Sequence, residues 1–350
     1  MRTTLDTRLV DPTAFEPGLV ADVRDERRAL LFDVGPDIEQ LGVRLLLRVS
    51  HVFVTHTHMD HFAGFDTLLA LGLGRLPRLA LWGGPGFVDQ LEHKLLAYTW
   101  NVVHRYETPM VLDVHSLELD GSHRHARFDS LEAFRRRDLP PDRAPDPSVT
   151  APRASRLHEE TLYRVRAILV DHEMPVMAYA IEEKAQVRVA ADRIAAMGLA
   201  TGAWLRTLKQ AVLAGEADDT PIALAWMDAR GAHTGCATVG ELRPLVLDTV
   251  PGRRIGYVTD LRFTEDNVER LHALLADVDL LHVECVFAQA ECDHARRKNH
   301  LTARQAGEIA RRLGAKRVVP FHFSPRYRGR EQELRDELEA ARASPRALHG

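Results

Sequence analysis

Residues 50–64, SHVFVTHTHMDHFAG, carry four candidate metal ligands close together: His56, His58, Asp60 and His61. Imidazole nitrogen and carboxylate oxygen are the donor set that suits zinc and similar divalent ions. The apolar run 52–54 reads as a buried strand feeding the cluster. Residues two apart on an extended segment point the same way, so His56 and His58 can grip one ion. Where the strand gives way to a loop, Asp60 and His61 turn to the other side and can hold a second ion about 3.5–4 Å from the first. Single histidines are mostly solvated or satisfied within a core. Three of them with an aspartate at the end of one apolar strand imply a ligand instead, and the expected chemistry is two-metal hydrolysis.

The pattern His-x-His-x-Asp-His resembles the signature of the metallo-β-lactamase fold superfamily. Its members hydrolyse lactams, thioesters, lactones and phosphodiesters, so the resemblance implies fold and metal but leaves the substrate open. Further candidate ligands stand at strand ends, where α/β folds place their sites. His172 follows the apolar run 163–171, Asp260 follows 255–259, and His322 follows 318–321. We assign His56, His58 and His172 to one ion, and Asp60, His61 and His322 to the other, with Asp260 bridging them through its two oxygens. Such a set leaves positions open for water and substrate, as a catalytic site requires. The cofactors expected are two divalent metal ions, zinc first among them. A water shared by two zinc ions is hydroxide near neutral pH, and Asp60 can accept its hydrogen bond and aim it.

The elements that position these residues alternate. Strands are expected at Leu19–Val23, 29–34, 48–54 and 79–82. A helix is expected at 64–73, and an amphipathic stretch carries Phe87, Leu91, Leu95 and Leu96. Residues 120–157, rich in Arg, Asp and Pro, read as an inserted polar loop or lid, with His123 and His125 as solvated loop histidines. Order resumes with strands at Tyr163–Asp171 and 175–182. Two short helices broken at Gly198 and Gly202 follow, then strands at 221–226 and 254–259. A helix at 266–275, a strand at 277–283, a helix at 302–313, a strand at Arg317–Phe321 and a charged amphipathic helix at 330–342 complete the chain. Strand and helix in alternation favour an α/β layered fold.

The chain of 350 residues has 45% hydrophobic and 27% charged residues, ordinary for a soluble globular protein. No run approaches the ~18 apolar residues of a membrane span, and the N-terminus lacks the apolar core of a signal peptide. Cys236, Cys285 and Cys292 cannot all pair within one chain, so no disulfide framework is indicated and the cytoplasm is the expected compartment. Cys285, Cys292 and His294 are too irregularly spaced for a further metal site. A net charge of −4 argues mildly against a generic nucleic-acid binder. Arg135, Arg136, Arg137, Arg153, Arg156, Arg164 and Arg166 nonetheless give the middle of the chain a basic bias.

The C-terminal third narrows the resemblance. Residues 281–287, LHVECVF, resemble the His-Glu-Ala-Thr-Phe box of ribonuclease Z, which removes 3′ trailers from precursor tRNA. Residues 299–306, NHLTARQA, are similar to its His-Ser-Thr-Ala-x-Gln-Ala segment, and 319–327, VPFHFSPRY, to its His-Phe-Ser-x-Arg-Tyr. The run from His172 to Glu183 resembles the family's His-x-x-Pro-x-x-Gly-Tyr-x-Ile-Glu-Glu. The match covers residues 29–110 and 160–328. It implies that His300, supported by Glu284, protonates the leaving 3′ oxygen, which is chemically sound because a carboxylate partner favours the imidazolium. It also implies a homodimer. The family's opening Phe-Leu-Gly-Thr-Gly strand is absent here. Its Gly-Pro arm element reads Gly202-Ala203, and only Lys184 and Lys209 stand near the arm.

The expected architecture is therefore a four-layer αβ/βα sandwich of two mixed sheets with outer helices. It would form one domain over 1–350, with the insertion at 120–157 and a small projecting arm at 183–222. The first functional expectation is a metal-dependent phosphodiesterase of ribonuclease Z type acting on precursor tRNA, with no membrane partner. The second is the same fold acting on a small phosphodiester or other ester. The third, a non-catalytic RNA-binding or scaffold protein, has no chemical need for seven ligands and an acid.

Overall fold

Two mixed sheets take up the apolar strands of the larger of two compact units, residues 1–183 and 253–350. The structure, a computed structural model, describes residues 5–23, 27–140, 154–184, 186–197, 201–228 and 231–344. The first sheet holds eight strands in chain order: β1 (Leu5–Leu9), β2 (Leu19–Val23), β3 (Arg28–Phe32), β4 (Val49–Phe53), β5 (Arg78–Gly83), β6 (Val111–Leu117), β7 (His123–Asp129) and β8 (Arg135–Leu139). β3 to β6 run parallel, and the strands outside them pair antiparallel.

After β9 (Ser155–Glu159), β10 (Tyr163–Asp171) and β11 (Pro175–Glu183), the chain leaves for the second unit. That unit carries β12 (Gln186–Val189), β13 (Pro221–Asp228), β14 (Gly231–Thr238) and β15 (Leu247–Val250). The chain then returns as β16 (Arg254–Val258), β17 (Leu280–Glu284) and β18 (Arg317–Phe321). The second sheet runs β18-β17-β16-β11-β10-β9, with β16, β17 and β18 parallel to one another.

Period-two alternation explains the layering. On β4, Phe53 faces the other sheet; its neighbour Phe32 on β3 stacks on it at 4.9 Å, and Tyr179 of the opposite sheet meets it edge-on at 5.8 Å. Val52 and Val54 point the opposite way, into a core shared with Phe65, Leu68, Phe87 and Leu91 from helices Phe65–Gly72 and Phe87–Leu96. Helices Glu265–Leu275, Ala303–Arg312 and Glu331–Ala343 contribute Leu271, Ile309 and Leu338 to the core around the second sheet. The result is the αβ/βα sandwich expected.

Three expectations about individual segments change. First, residues 123–129 and 135–139 are not loop but β7, which pairs onto β6, and β8, which pairs onto β7. Several of their charges pair across the sheet and onto a neighbouring helix, while Arg135 and Arg137 face water. Arg127 Nε and Arg78 Nε donate to buried Asp113, and Arg124 and Arg136 reach Asp89. Alternating Ala126 and Phe128 are buried. Second, His125 is not a solvated loop histidine. Its ring stacks on His115 at 4.0 Å, and His115 stacks on Trp82 at 4.0 Å. The remainder of the expected insertion, 141–153, lies outside the described residues.

Third, the segment expected at 183–222 extends to 252, because β12 pairs antiparallel with β15 and closes the unit. Its own core gathers Trp204, Leu208, Ile222, Val239 and Leu242. Within it, β13 pairs with β14 in a separate two-stranded sheet. The helix break expected at Gly198 lies outside the described residues, whereas helix Ala203–Ala214 does begin after Gly202. At the stem, β11 and β16 are antiparallel neighbours. Glu183 N–H donates to the Arg253 carbonyl at 2.8 Å, and the Glu183 carboxylate accepts from Arg253 Nε at 3.1 Å. Among the described residues no helix is long and apolar enough to cross a membrane.

Candidate metal centre

β4 delivers its ligands directly. Tyr179 Oη–H donates to the Val54 carbonyl at 2.6 Å, and Met177 N–H donates to that of Thr55 at 3.0 Å, tying the end of β4 to β11. The chain then turns. Asp60 and His61 sit on a single helical turn, Met59–Phe62, which carries them away from His56 and His58; a loop was expected there. Close backbone approach holds this turn. Val34 N–H donates to the His61 carbonyl, and a Cβ on Gly64 would lie 2.1 Å from the Gly35 oxygen.

The seven expected ligands converge in two groups. One donor atom from each of His56, His58, His172 and Asp260 lies within 4.8 Å of the others, and the same holds for Asp60, His61 and His322. Asp260, fully buried, presents a different oxygen to each group. Its Oδ2 is 3.6 Å from His56 Nε2 and 3.5 Å from His172 Nε2, while Oδ1 is 3.4 Å from His61 Nε2 and 3.1 Å from His322 Nδ1. Asp60 Oδ2 stands 3.3 Å from His61 Nε2 and 3.5 Å from His322 Nε2.

Hydrogen bonds fix which nitrogen of three of the rings faces the cluster. His61 Nδ1–H donates to Asp33 Oδ2 at 2.8 Å, and His172 Nδ1–H donates to the Asn299 carbonyl at 2.9 Å. Thr55 Oγ1 donates to Asp33 and accepts from His56 Nδ1 at 3.1 Å. With Nδ1 protonated in each case, the Nε2 lone pairs of His56, His61 and His172 point inward. Nε2 of His56 and of His61 are buried without a hydrogen-bond partner, which is the state of a metal ligand and a costly one for a bystander. The residues therefore fit divalent ions.

Electrostatics divide the ligands. Against the cost of burial, Asp260 and Asp33 hold the His61 pKa well above its usual value, and Asp260 does the same for His322. These two rings carry a proton until a cation takes its place, whereas His56 is neutral already. Burial, and then His61 nearby, push the His56 pKa down to about 3, so its imidazole is neutral and available. Against the cost of burial, His61 and His322 hold the Asp260 carboxyl well below the usual range, and His322 and His61 do the same for Asp60. Ionised carboxylates packed at this density need compensating positive charge, and a cation supplies it.

Beside the cluster, Glu284 is completely buried. Its Oε2 accepts from His300 Nδ1 at 2.9 Å and from Asp260 N–H at 3.0 Å, and its Oε1 accepts from Leu301 N–H at 2.8 Å. His300 overcomes burial because Glu284 raises its pKa, while the Glu284 carboxyl is lowered to about 2. His300 borders a cavity of about 410 Å³ lined also by Arg262, Phe263, Arg296, Asn299 and Gln305.

Sequence reasoning missed Asp33 and Asn299. Asp33 accepts from Thr55 N–H at 2.7 Å and from Tyr257 Oη–H at 2.9 Å, as well as from His61. Its signal was slight: an aspartate closing an apolar strand before a glycine. Backbone strain supplies a second one. Of the ten non-glycine residues with positive φ among those described, Asp33, Glu173, Asp260, Asn299 and His322 all lie at or beside the ligands. Cys285, Cys292 and His294 form no ligand group among the described residues.

Comparison with known proteins bears on this geometry. A family model described as a beta-lactamase superfamily domain matches residues 28–151 and 221–323. Ribonuclease Z of Deinococcus radiodurans is 33% identical over 322 residues, covering 91% of this chain and 88% of the relative. Ribonuclease Z of Nostoc punctiforme is 27% identical, covering 89% of this chain and 81% of its own length. Among solved structures, the short form of human tRNase Z is similar with a TM-score of 0.50 at 18% identity, covering 92% of each chain. At that identity the structural likeness speaks to fold alone.

Proposed function

The chain belongs to the ribonuclease Z family of the β-lactamase superfamily, and from that premise we propose that it is a metal-dependent endonuclease removing 3′ trailers from precursor tRNA. The observation that carries the reading is the pairing of His300 with buried Glu284 alongside a carboxylate, Asp260, that offers one oxygen to each of two ligand groups. A simple structural metal site has no use for a protonated histidine at its rim.

In this reading His56, His58 and His172 hold one ion, Asp60, His61 and His322 hold the other, and Asp260 is shared. Two divalent ions, taken to be zinc from the donor set, supply the positive charge that makes water nucleophilic near neutral pH and offsets charge on the phosphoryl oxygens. Asp60, ionised and partly exposed, accepts a hydrogen bond from the attacking water and aims it at phosphorus. As the bond from phosphorus to the 3′ oxygen breaks, His300 donates its Nε2 proton to that oxygen. Glu284 holds Nδ1–H throughout and stabilises the imidazolium beforehand. The products are a 3′-hydroxyl and a 5′-phosphate. By the same family resemblance the protein is taken as a homodimer, and its three free thiols support a cytoplasmic setting.

Purified protein of measured metal content, given a precursor tRNA with a 3′ trailer and, in parallel, bis(p-nitrophenyl) phosphate, tests the reading. Cleavage after the discriminator base, lost in Asp60→Ala and His300→Ala, is the expected result. Turnover of the small diester alone would keep the metal chemistry and overturn the RNA substrate.

A further inference from the structure

A second histidine pair lies inside the sandwich, away from the cluster above. His51 on β4 faces across to His158 on β9, the edge strand of the opposite sheet, with ring centroids 4.1 Å apart and planes at 41°. Glu160 follows immediately after β9, its Oε1 3.3 Å from His158 Nε2. That nitrogen is buried and lacks the geometry of a hydrogen bond. One donor atom from each of His51, His158 and Glu160 falls within 4.8 Å of the other two.

We propose that His51, His158 and Glu160 form a further divalent-metal site of zinc type, distinct from the cluster around Asp260. Two imidazoles and one carboxylate are the protein ligands of a familiar class of zinc site, with a fourth position left to water. Five residues of extended chain at about 3.3 Å each separate His51 from His56, so the two sites stand roughly 16 Å apart. Burial, and then His158, push the His51 pKa down to about 2, which keeps its ring neutral and able to ligate at ordinary pH.

An ordinary packing pair explains the observations less well. Two polar rings pressed together across a sheet interface, with a carboxylate alongside and one buried nitrogen lacking a hydrogen bond, spend polar groups where apolar ones would pack at no such cost. A competing cation is present: Arg28 Nη1 lies 3.2 Å from the same Glu160 oxygen, and an incoming ion has to share or displace it. Arg28 is partly exposed and can swing outward. Occupied, the site would pin edge strand β9 to central strand β4, the strand that carries the catalytic ligands.

The test uses the full chain with the main cluster silenced by His56→Ala and His61→Ala, so that the result is independent of the activity proposed above. Cobalt(II) and zinc(II) are added separately, and bound metal is counted after dialysis. The expected result is one retained cobalt equivalent with visible ligand-field absorption, and a zinc-dependent rise in melting temperature. Both should disappear on adding Glu160→Gln or, independently, His158→Gln, while the metal-free melting temperature stays close to that of the silenced parent. No retained metal in the silenced chain would overturn the proposal. So would a retained equivalent that survives both substitutions, since that ion would belong to the remains of the main cluster.

Discussion

Replacing Asp33 by asparagine should disable the metal centre without touching any ligand. Asp33 Oδ1 accepts from Thr55 N–H at 2.7 Å, while Oδ2 accepts from His61 Nδ1 at 2.8 Å and from Tyr257 Oη at 2.9 Å. An amide cannot offer an acceptor on both sides. With its oxygen toward Thr55, its NH₂ group meets His61 and forces that ring to give up the Nδ1 proton. The proton then sits on Nε2, the atom facing the cluster, and blocks it as a ligand. Turned the other way, the amide sets its donor against the Thr55 N–H.

Either arrangement costs about 1–3 kcal/mol of stability, the penalty of one unsatisfied buried group. Loss of a partner that orients a metal-binding histidine typically lowers metal affinity about 10–100-fold. Asparagine tolerates the positive φ of 60° at this position, so backbone strain adds little. Tyr257→Phe is the control. It removes one donor to the same oxygen, costs about 0.5–1.5 kcal/mol, and leaves the His61 tautomer unchanged. Metal affinity measured by competition with a chromogenic chelator, together with urea unfolding, reads both quantities. The reasoning fails if Asp33→Asn binds metal as tightly as the parent, or if Tyr257→Phe weakens binding equally.

Two further outcomes follow from buried groups. His282 is almost completely buried with both ring nitrogens unpartnered, and burial lowers its pKa to about 3. Its folded pKa lies below the unfolded value of 6.5, so the folded state should lose stability as pH falls below that value, by up to about 1.4 kcal/mol per pH unit. Urea midpoints at pH 7.5 and 5.5 should differ less in His282→Leu than in the parent, and an unchanged difference would refute the assignment. Gly64→Ala places a Cβ against the Gly35 oxygen and should cost at least about 1–3 kcal/mol, with loss of bound metal, both measurable by thermal unfolding and metal analysis.

How much of this could be read without coordinates depends on how local each signal is. His56, His58, Asp60 and His61 announce themselves because ligand chemistry is dense over six positions. His172, Asp260 and His322 are isolated in sequence but share a context, a strand that ends. Asp33 has neither advantage: its partners lie 22, 28 and 224 residues away, and a lone aspartate after an apolar run has many ordinary uses. β7 and β8 were hidden by their arginines, since composition cannot show that Asp89 and Asp113 wait to neutralise them. The pairing of His51 with His158 depends on how two sheets face each other, which no spacing encodes.

The stem at Glu183 and Arg253 has an evolutionary consequence. Because β11 and β16 are hydrogen-bonded neighbours, the sandwich experiences everything from 184 to 252 as the turn of one long hairpin. Closing such a loop costs only about 0.6 kcal/mol more for each doubling of its length. The excursion can thus be shortened, lengthened or exchanged wholesale with little effect on the fold that carries the ligands. The excursion and the ligand-bearing sandwich are in this sense separately heritable, and a lineage can remodel the one without renegotiating the other.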